Sequence, residues 1–290
     1  MAVLLDRKSK VMVQGIADGD GLFQTERMCN YGTNIVGGVS PCIDGQKAYD
    51  RPVFNTVKEC VDYTRADTSV IFLPAELVKE ASIDAIQAGI KLIVVIPKDI
   101  PADDMLNICQ EAKEYGARIL GSNTAGIITP DQAILGTLPD NAFAPGSVGT
   151  VTCSSSIMYY VADMLTRSGH GQSTCVCLGE DPILGLNFAE ILSEFEDDPE
   201  TKAVVMTVED GGVYKKAIVD QIKSMKTPVL AMIGGVNASK GKQIEQAGAI
   251  VDEETDTAEE KLAILEAAGA HICKTFTDIP KTLVLEEARI

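Results

Sequence analysis

Short runs of β-branched and aliphatic residues alternate with longer helical patterns along most of this 290-residue chain. The runs are bounded by Gly or Pro, which is typical of strands buried on both faces of a parallel sheet. Regular strand–helix alternation predicts right-handed βαβ crossovers. The first series of predicted strands covers residues 11–16, 34–39, 69–73, 91–96 and 118–121.

The alternation lapses between Gly121 and Gly149, where Gly, Pro, Asn and Thr are frequent. A second series then begins, with predicted strands at residues 149–153, 174–178, 203–208, 228–233 and 271–276. We therefore predict an α/β chain of two doubly wound domains in series, with one large sheet as the alternative. The predicted ranges are a Rossmann-like domain at 1–122, a connector at 123–146 and a flavodoxin-like domain at 147–290.

Composition narrows the classes of function. The chain has 25 Lys and Arg against 42 Asp and Glu, a net charge of −17. Such a surface repels phosphate backbones and anionic lipids, so we expect neither nucleic-acid nor membrane binding. A charge already at Asp6 argues against a signal peptide, and we expect a cytoplasmic protein. The eight cysteines include no C-x-x-C pair, so we expect reduced thiols and no metal site.

The turn after the first predicted strand is rich in glycine. Ligands of open parallel sheets bind beyond the carboxyl ends of the strands, where this turn lies. Gly15, Gly19 and Gly21 permit a tight turn into a helix whose amides suit an anion such as the phosphates of a cofactor. Asp18 and Asp20 would oppose a phosphate, so a purely structural turn is an equal alternative.

The corresponding turn of the second series carries hydroxyls. Ser154, Ser155 and Ser156 follow Cys153 at the expected start of a helix, where hydroxyls and amides together suit a phosphate. Helix capping is the alternative, although a cap needs one hydroxyl only. Lys240 and Lys242 follow a later strand of the same series and are candidate anion contacts.

Together these segments resemble the α subunit of succinate–CoA ligases, within the ADP- or GDP-forming acyl-CoA synthetases. The resemblance extends over nearly the whole length. The segments that carry it are 11–21, 31–33, 37–39, 52–57, 88–93, 171–176, 181–182, 235–236, 240–242, 247–250 and 258–269.

The resemblance implies a CoA-binding first domain and a second domain with a phosphohistidine. That histidine passes phosphate between an acyl phosphate and a nucleotide, which binds with Mg²⁺ on a separate β-type ATP-grasp subunit. Matching positions imply that Tyr159 lies near a carboxylate substrate, that Ser154 and Asn123 belong to the site, and that Glu209 supports the phosphohistidine.

The resemblance breaks at the position of the phosphohistidine. The family has His before the Ala-Gly-Ala sequence, and this chain has Gln246. An amide cannot form a stable phosphoramidate, so we predict that the phosphate shuttle is absent. His170 and His271 lie at other places along the chain and are not expected to replace it.

The CoA-binding positions are altered as well. A family lysine falls at Ile43, and a Thr-Glu pair is replaced by Pro97 and Lys98. The family's Pro and Cys within residues 121–126 are also replaced. We expect CoA binding to be weakened or lost, since each lost charged hydrogen bond costs about 1.5–3 kcal/mol. Lys98 is a weak compensating candidate.

The resemblance, together with the positions at which this chain departs from the family, leaves three alternative functions. The first is an enzyme subunit that acts on an acyl or carbamoyl phosphate and a carboxylate without a phosphohistidine shuttle. The second is a non-catalytic or regulatory subunit of an ATP-grasp ligase complex. The third is an ordinary succinate–CoA ligase α subunit, whose phosphorylated residue would then lie elsewhere.

Overall fold

The chain forms two compact units in a computed structural model that describes residues 2–17, 19–41, 47–209, 216–234 and 258–287. The N-terminal unit comprises Leu4–Asp140 together with Cys177–Leu186. The C-terminal unit comprises Met1–Val3, Asn141–Val176 and Asn187–Ile290. Within the described residues, every helix is too short or too polar to cross a bilayer.

The main sheet of the N-terminal unit has the Rossmann strand order. Its strands are β1 (Val11–Gln14), β2 (Ile35–Val39), β3 (Lys47–Ala48), β4 (Arg51–Phe54), β5 (Thr68–Ile71), β6 (Leu92–Val95) and β7 (Arg118–Gly121). They lie in the order β3-β4-β2-β1-β5-β6-β7 and are parallel except for the β3–β4 pair. Without the short β3 this is the order 3-2-1-4-5-6 of dinucleotide-binding sheets.

Four helices connect these strands: α1 (Gly19–Tyr31), α2 (Val57–Thr64), α3 (Ala75–Gln87) and α4 (Ala102–Tyr115). Their boundaries follow local chemistry. At the start of α2, the Thr56 side chain accepts from the Glu59 amide and the Glu59 carboxylate accepts from the Thr56 amide, which forms a capping box. Aliphatic side chains of the helices, among them Val78, Ile86 and Ile108, form one buried cluster with those of the sheet. The sheet residues of this cluster include Met12, Ile71 and Ile93.

A buried hairpin occupies part of the range that we expect to be a connector, residues 123–146. Its strands are β8 (Gly126–Thr129) and β9 (Ala133–Gly136), and they pair antiparallel. Both strands are buried along their whole length. The hydroxyl of Thr129 donates to the carbonyl of Leu5 at 2.7 Å, which fixes the hairpin within its unit.

The C-terminal unit has the flavodoxin-like order. Its strands are β10 (Pro145–Thr152), β11 (Gln172–Cys177), β12 (Ala203–Glu209), β13 (Val229–Gly234) and β14 (His271–Ile272). They lie in the order β14-β13-β12-β10-β11, which corresponds to 2-1-3-4-5 read from the other edge. The helices are α5 (Ser155–Arg167), α6 (Phe188–Asp197), α7 (Lys216–Ser224), α8 (Ala258–Ala267) and α9 (Asp278–Glu287).

Aliphatic side chains of these strands and helices form the core of the C-terminal unit, among them Val148, Val161, Val205, Leu230 and Leu283. Phe195 of α6 is completely buried. Its ring lies against Gly149 of β10, where an added Cβ would be 2.6 Å from the ring. The prediction of two doubly wound α/β domains in series is confirmed, and the single large sheet is not formed.

The segment Cys177–Leu186 makes its contacts with the N-terminal unit, although it lies within the predicted range 147–290 of the second domain. Backbone amides hold it there: Gly185 donates to the Gly121 carbonyl at 2.9 Å, and Leu186 donates to the Ile119 carbonyl at 2.8 Å. Ile183 adds apolar contact with the N-terminal core. These contacts are remote in sequence, so local patterns do not reveal them.

Candidate functional site

The turn after β1 lies at the carboxyl end of the sheet, where the strand order reverses between β1 and β5. Two neighbouring strands hold its beginning. The Gly15 amide donates to the Val39 carbonyl at 2.9 Å, and the Phe72 amide donates to the Gln14 carbonyl at 3.0 Å. This is the place where Rossmann sheets bind their ligands.

The glycines of this turn have different structural roles. Gly15 has φ +84°, and an added Cβ would be 2.5 Å from the Phe72 carbonyl oxygen. A Cβ at Gly21 would meet the Gly15 carbonyl oxygen. Packing of backbone against backbone therefore requires glycine at both positions. Gly19, by contrast, has no heavy atom within 4 Å of such a Cβ, so the start of α1 is open.

The open start of α1 permits a test of fit for CoA. Amides at the start of a 13-residue helix, with space beside Gly19, suit a pyrophosphate. Asp20 lies in the first turn of the same helix and would repel it. The backbone of this turn therefore suits a phosphate group, whereas the charge of Asp20 opposes one.

Lys98 follows β6 at the same edge of the sheet. Its ammonium lies 3.7 Å from the Asp99 carboxylate, and its side chain is 71% exposed. The cation is therefore directed to solvent and partly neutralised by its neighbour. A surface pair of this kind contributes little to binding or stability.

The loop after β7 is held on both sides by backbone hydrogen bonds. The Asn123 amide donates to the Pro97 carbonyl at 2.9 Å, and the Glu180 amide donates to the Asn123 carbonyl at 3.2 Å. Asn123 has φ +53° and is partly exposed. The structure thus places Asn123 beside the end of β6, on the same edge as the glycine turn.

The serine turn lies after β10 in the C-terminal unit. Ser154 is the N-cap residue of α5, and its side chain makes no capping hydrogen bond. Its amide donates to the Thr152 hydroxyl at 3.2 Å, and its carbonyl accepts from the Met158 amide at 3.0 Å. Backbone contacts therefore hold the turn, and simple side-chain capping does not explain the hydroxyl of Ser154.

The other hydroxyls of this turn differ in exposure. Ser155 is half-buried and Ser156 is exposed. Tyr159 lies one helical turn after Ser155, on the same face of α5, and is 41% exposed. Ser155 and Tyr159 thus share the face of α5 that begins at the serine turn.

The sheet register places Glu209 level with the serine turn. Strands β10 and β12 are parallel, with Thr152 paired to Thr207. Ser154 and Glu209 each follow that pair by two residues, at the point where the strand order reverses in the C-terminal sheet. This is the position expected for a ligand site in a flavodoxin-like fold. Gln246, Lys240, Lys242, Asp18 and Ile43 lie outside the described residues.

The two cysteines of β11 are buried. Burial raises the pKa of Cys175 to about 12 and that of Cys177 to about 11, so both remain protonated at neutral pH. The cysteines among the described residues form no disulfide with one another. Among the same residues, no group of three or more His, Cys, Asp or Glu side chains is arranged to hold a metal ion.

Sequence reasoning missed two side chains near Asn123. Ser122 donates its hydroxyl to the Asp181 carboxylate at 2.7 Å, and Thr124 donates its hydroxyl to the Cys177 carbonyl. Ser122 and Asp181 are 59 residues apart. The available signal was the replacement of the family's Pro and Cys by two hydroxyl residues on either side of Asn123.

Comparison with known proteins assigns both units. The CoA binding domain model matches residues 6–98, and the CoA-ligase model matches residues 151–271. Succinate–CoA ligase (ADP-forming) subunit alpha 2 of Archaeoglobus fulgidus is 46% identical over 275 residues, which cover 95% of this chain and 96% of the relative. The chain belongs to the succinate–CoA ligase α-subunit family. The corresponding subunit of Staphylococcus aureus is 39% identical to this chain, and the match covers 98% of this chain and 94% of the relative.

Solved structures support the fold of this family member. ATP citrate lyase from Methanothrix soehngenii, in complex with citrate and coenzyme A, superposes with a TM-score of 0.87 at 22% identity. The match covers 98% of this chain and 50% of the lyase chain, so the chain spans about half its length. A dinucleotide-forming acetyl-coenzyme A synthetase from Ca. Korarchaeum cryptofilum gives a TM-score of 0.74 at 20% identity. That match covers 93% of this chain and 58% of the synthetase chain.

Proposed function

We propose that this chain is a divergent α-type subunit that acts on an acyl or carbamoyl phosphate and a carboxylate without a phosphohistidine. The observation that carries the proposal is Gln246, which stands where the family resemblance places the phosphorylated histidine. A glutamine amide has no basic lone pair on nitrogen with which to accept a phosphoryl group. The relay from a nucleotide through this chain would therefore be interrupted.

Direct transfer remains chemically available. A neutral N–H or O–H group of the carboxylate-bearing substrate attacks the carbonyl carbon of the acyl or carbamoyl phosphate, the C–O bond to phosphate breaks, and inorganic phosphate leaves. The nucleophile's proton ends on the phosphate. Amides at the start of α5 and the Ser154 hydroxyl would stabilise the leaving phosphate, and Tyr159 would orient the carboxylate.

Partner and cofactor belong to the same proposal. The relatives are named as α subunits, which supports a β-type ATP-grasp partner for this chain. Nucleotide and Mg²⁺ would bind on that partner. CoA would bind weakly in the N-terminal unit, where the open backbone at Gly19 favours it and Asp20 opposes it.

Phosphate release tests the proposed reaction. The chain, purified with its partner, is incubated with acetyl phosphate, succinyl phosphate or carbamoyl phosphate and a series of carboxylates. We expect release above buffer, and we expect Ser154→Ala to lower the rate about 10- to 100-fold. Ser168→Ala is the matched control, because it removes a hydroxyl at the opposite end of the same helix. Absence of release with every donor would refute the proposal and favour a non-catalytic subunit.

The ordinary α-subunit function has its own support, since relatives named as succinate–CoA ligase subunits reach 39–46% identity over nearly the full chain. Transfer of labelled phosphate from ATP distinguishes the divergent function from the ordinary one. With ATP labelled at the γ-phosphate, we expect no label on this chain and an acid-labile label on the Gln246→His variant. Label on the unaltered chain would establish the ordinary function and place the phosphorylated residue elsewhere.

A further inference from the structure

The loop between β7 and β8 is fastened by hydrogen bonds from two of its side chains to the segment Cys177–Leu186. Ser122 is completely buried and donates its hydroxyl to the half-buried Asp181 carboxylate at 2.7 Å. Thr124 is 3% exposed and donates to the Cys177 carbonyl, and its hydroxyl also accepts from the Gly126 amide at 2.9 Å. Two hydroxyls, one on each side of Asn123, therefore anchor the loop to the segment Cys177–Leu186.

Asn123 lies between these anchors with its backbone fixed. Its amide and its carbonyl are both hydrogen bonded, to Pro97 and Glu180, and its φ of +53° is in the left-handed region. Asparagine tolerates this conformation better than most residues. Among the described residues, the structure assigns no hydrogen bond to its side-chain amide, which is partly exposed at the carboxyl edge of the sheet. Such an arrangement fixes the backbone of Asn123 and leaves its side-chain amide at this edge of the sheet.

We propose that Ser122 and Asp181 form a positioning pair that sets Asn123 for contact with the ligand of the N-terminal unit. A charge-assisted hydrogen bond between these distant residues restricts the loop, as a proline ring at position 122 would restrict it covalently. Asp181 thereby contributes to ligand binding without touching the ligand.

This inference rests on the proposed function in one respect, because it takes the ligand of the N-terminal unit to be of the CoA type. CoA itself is therefore the probe. It is titrated calorimetrically into the chain purified with its partner. We expect Asp181→Ala to raise the Kd about tenfold, the effect of one lost charged hydrogen bond. Asp181→Asn keeps an acceptor for the Ser122 hydroxyl and should raise the Kd less than about threefold.

A second set of variants distinguishes a positioning role of the Ser122–Asp181 pair from a general effect on stability. In Ser122→Pro the ring restores the restriction and the hydroxyl is gone, so adding Asp181→Ala should leave the CoA affinity unchanged. Ser122→Ala serves the same purpose if the proline variant fails to fold. Asp103→Asn is the matched control, since it removes an exposed acid of the same unit. It should leave the Kd unaltered.

Amide hydrogen exchange gives a readout without ligand. Peptides covering residues 119–126 should exchange faster in Asp181→Ala than in the unaltered chain, and no faster in the Ser122→Pro background. If Asp181→Ala left the exchange of these peptides unchanged, the hydrogen bond between Ser122 and Asp181 would not restrict the loop. Faster exchange with an unchanged Kd for CoA, or no CoA binding by the unaltered chain, would refute the positioning role. None of these results depends on label at Gln246 or on phosphate release, so failure here is distinct from failure of the proposed function.

Discussion

The two turns at the points of strand reversal are built in opposite ways. After β1, Gly15 and Gly21 leave no space for a Cβ, because backbone packs directly against backbone. After β10, Ser154 begins α5 without glycine and without a side-chain cap. The first turn is thus determined by steric packing, and the second retains a hydroxyl that folding does not require. A residue that stability does not explain is the better candidate for function.

Gly15→Ala should have the largest effect on stability. The substitution places a Cβ 2.5 Å from the Phe72 oxygen at φ +84°, so we expect it to lower the free energy of unfolding by about 3 kcal/mol. Gly19→Ala is the control, since its surroundings are open, and it should cost about 1 kcal/mol. Urea unfolding measures both. Equal costs would show that the first turn is not limited by packing.

Gly149→Ala extends the comparison to the C-terminal unit. There the obstacle is a side chain, with Phe195 Cδ1 2.6 Å from the added Cβ, and we expect a loss of about 2 kcal/mol. Combining the change with Phe195→Leu should recover part of that loss, because the smaller residue makes room. A double-mutant cycle measures the coupling. Strict additivity would contradict the assigned contact.

Two N-cap residues of the C-terminal unit provide a smaller contrast. The Asn187 side chain accepts from the amides of Ala189 and Glu190 and completes a capping box. Asn187→Ala should therefore cost about 1 kcal/mol, and Ser154→Ala should cost less than about 0.5 kcal/mol. Thermal unfolding of the two variants decides. A cost at Ser154 as large as at Asn187 would assign its hydroxyl a structural role.

The smallest expected effect is a dependence of stability on pH at Glu196. Burial alone raises the pKa of this carboxyl, but hydrogen bonds from the Lys226 and Thr227 amides lower it below 4.5 overall. Because the pKa is lower in the folded state, the stabilisation is present above pH 4.5 and is lost as the pH falls through the folded pKa. Glu196→Gln should therefore lower the free energy of unfolding most near pH 7, and its difference from the unaltered chain should shrink as the pH falls through the folded pKa. Parallel curves for both proteins would contradict this.

Much of the fold follows from local pattern. The bounds of β7 were predicted to the residue, because its short aliphatic run ends at Gly121. The hairpin β8–β9 was missed, since strands of four residues without a helix between them give no alternating signal. Residues Cys177–Leu186 cluster with the N-terminal unit through hydrogen bonds to residues 119–123, and no local pattern reports those bonds.

The candidate site was predictable in position more than in contacts. The rule that ligands lie beyond the carboxyl ends of strands selected the turns at Gly15 and Ser154, and the strand orders place both at points of reversal. The pairing of Ser122 with Asp181 was not predictable, because neither residue type is unusual in a loop and 59 positions separate them. The roles of Lys240, Lys242 and Gln246 stay predictions.

The return of residues 177–186 to the N-terminal unit has a consequence for biosynthesis. The ribosome synthesises residues 4–140 before residues 177–186, so the N-terminal unit cannot form the hydrogen bonds between these segments until both have been made. Its last backbone hydrogen bonds form only after β10, α5 and most of β11 have been made. The N-terminal unit can therefore complete its fold only after residues 177–186 have been synthesised, and a chain that ended at residue 140 would lack part of this unit.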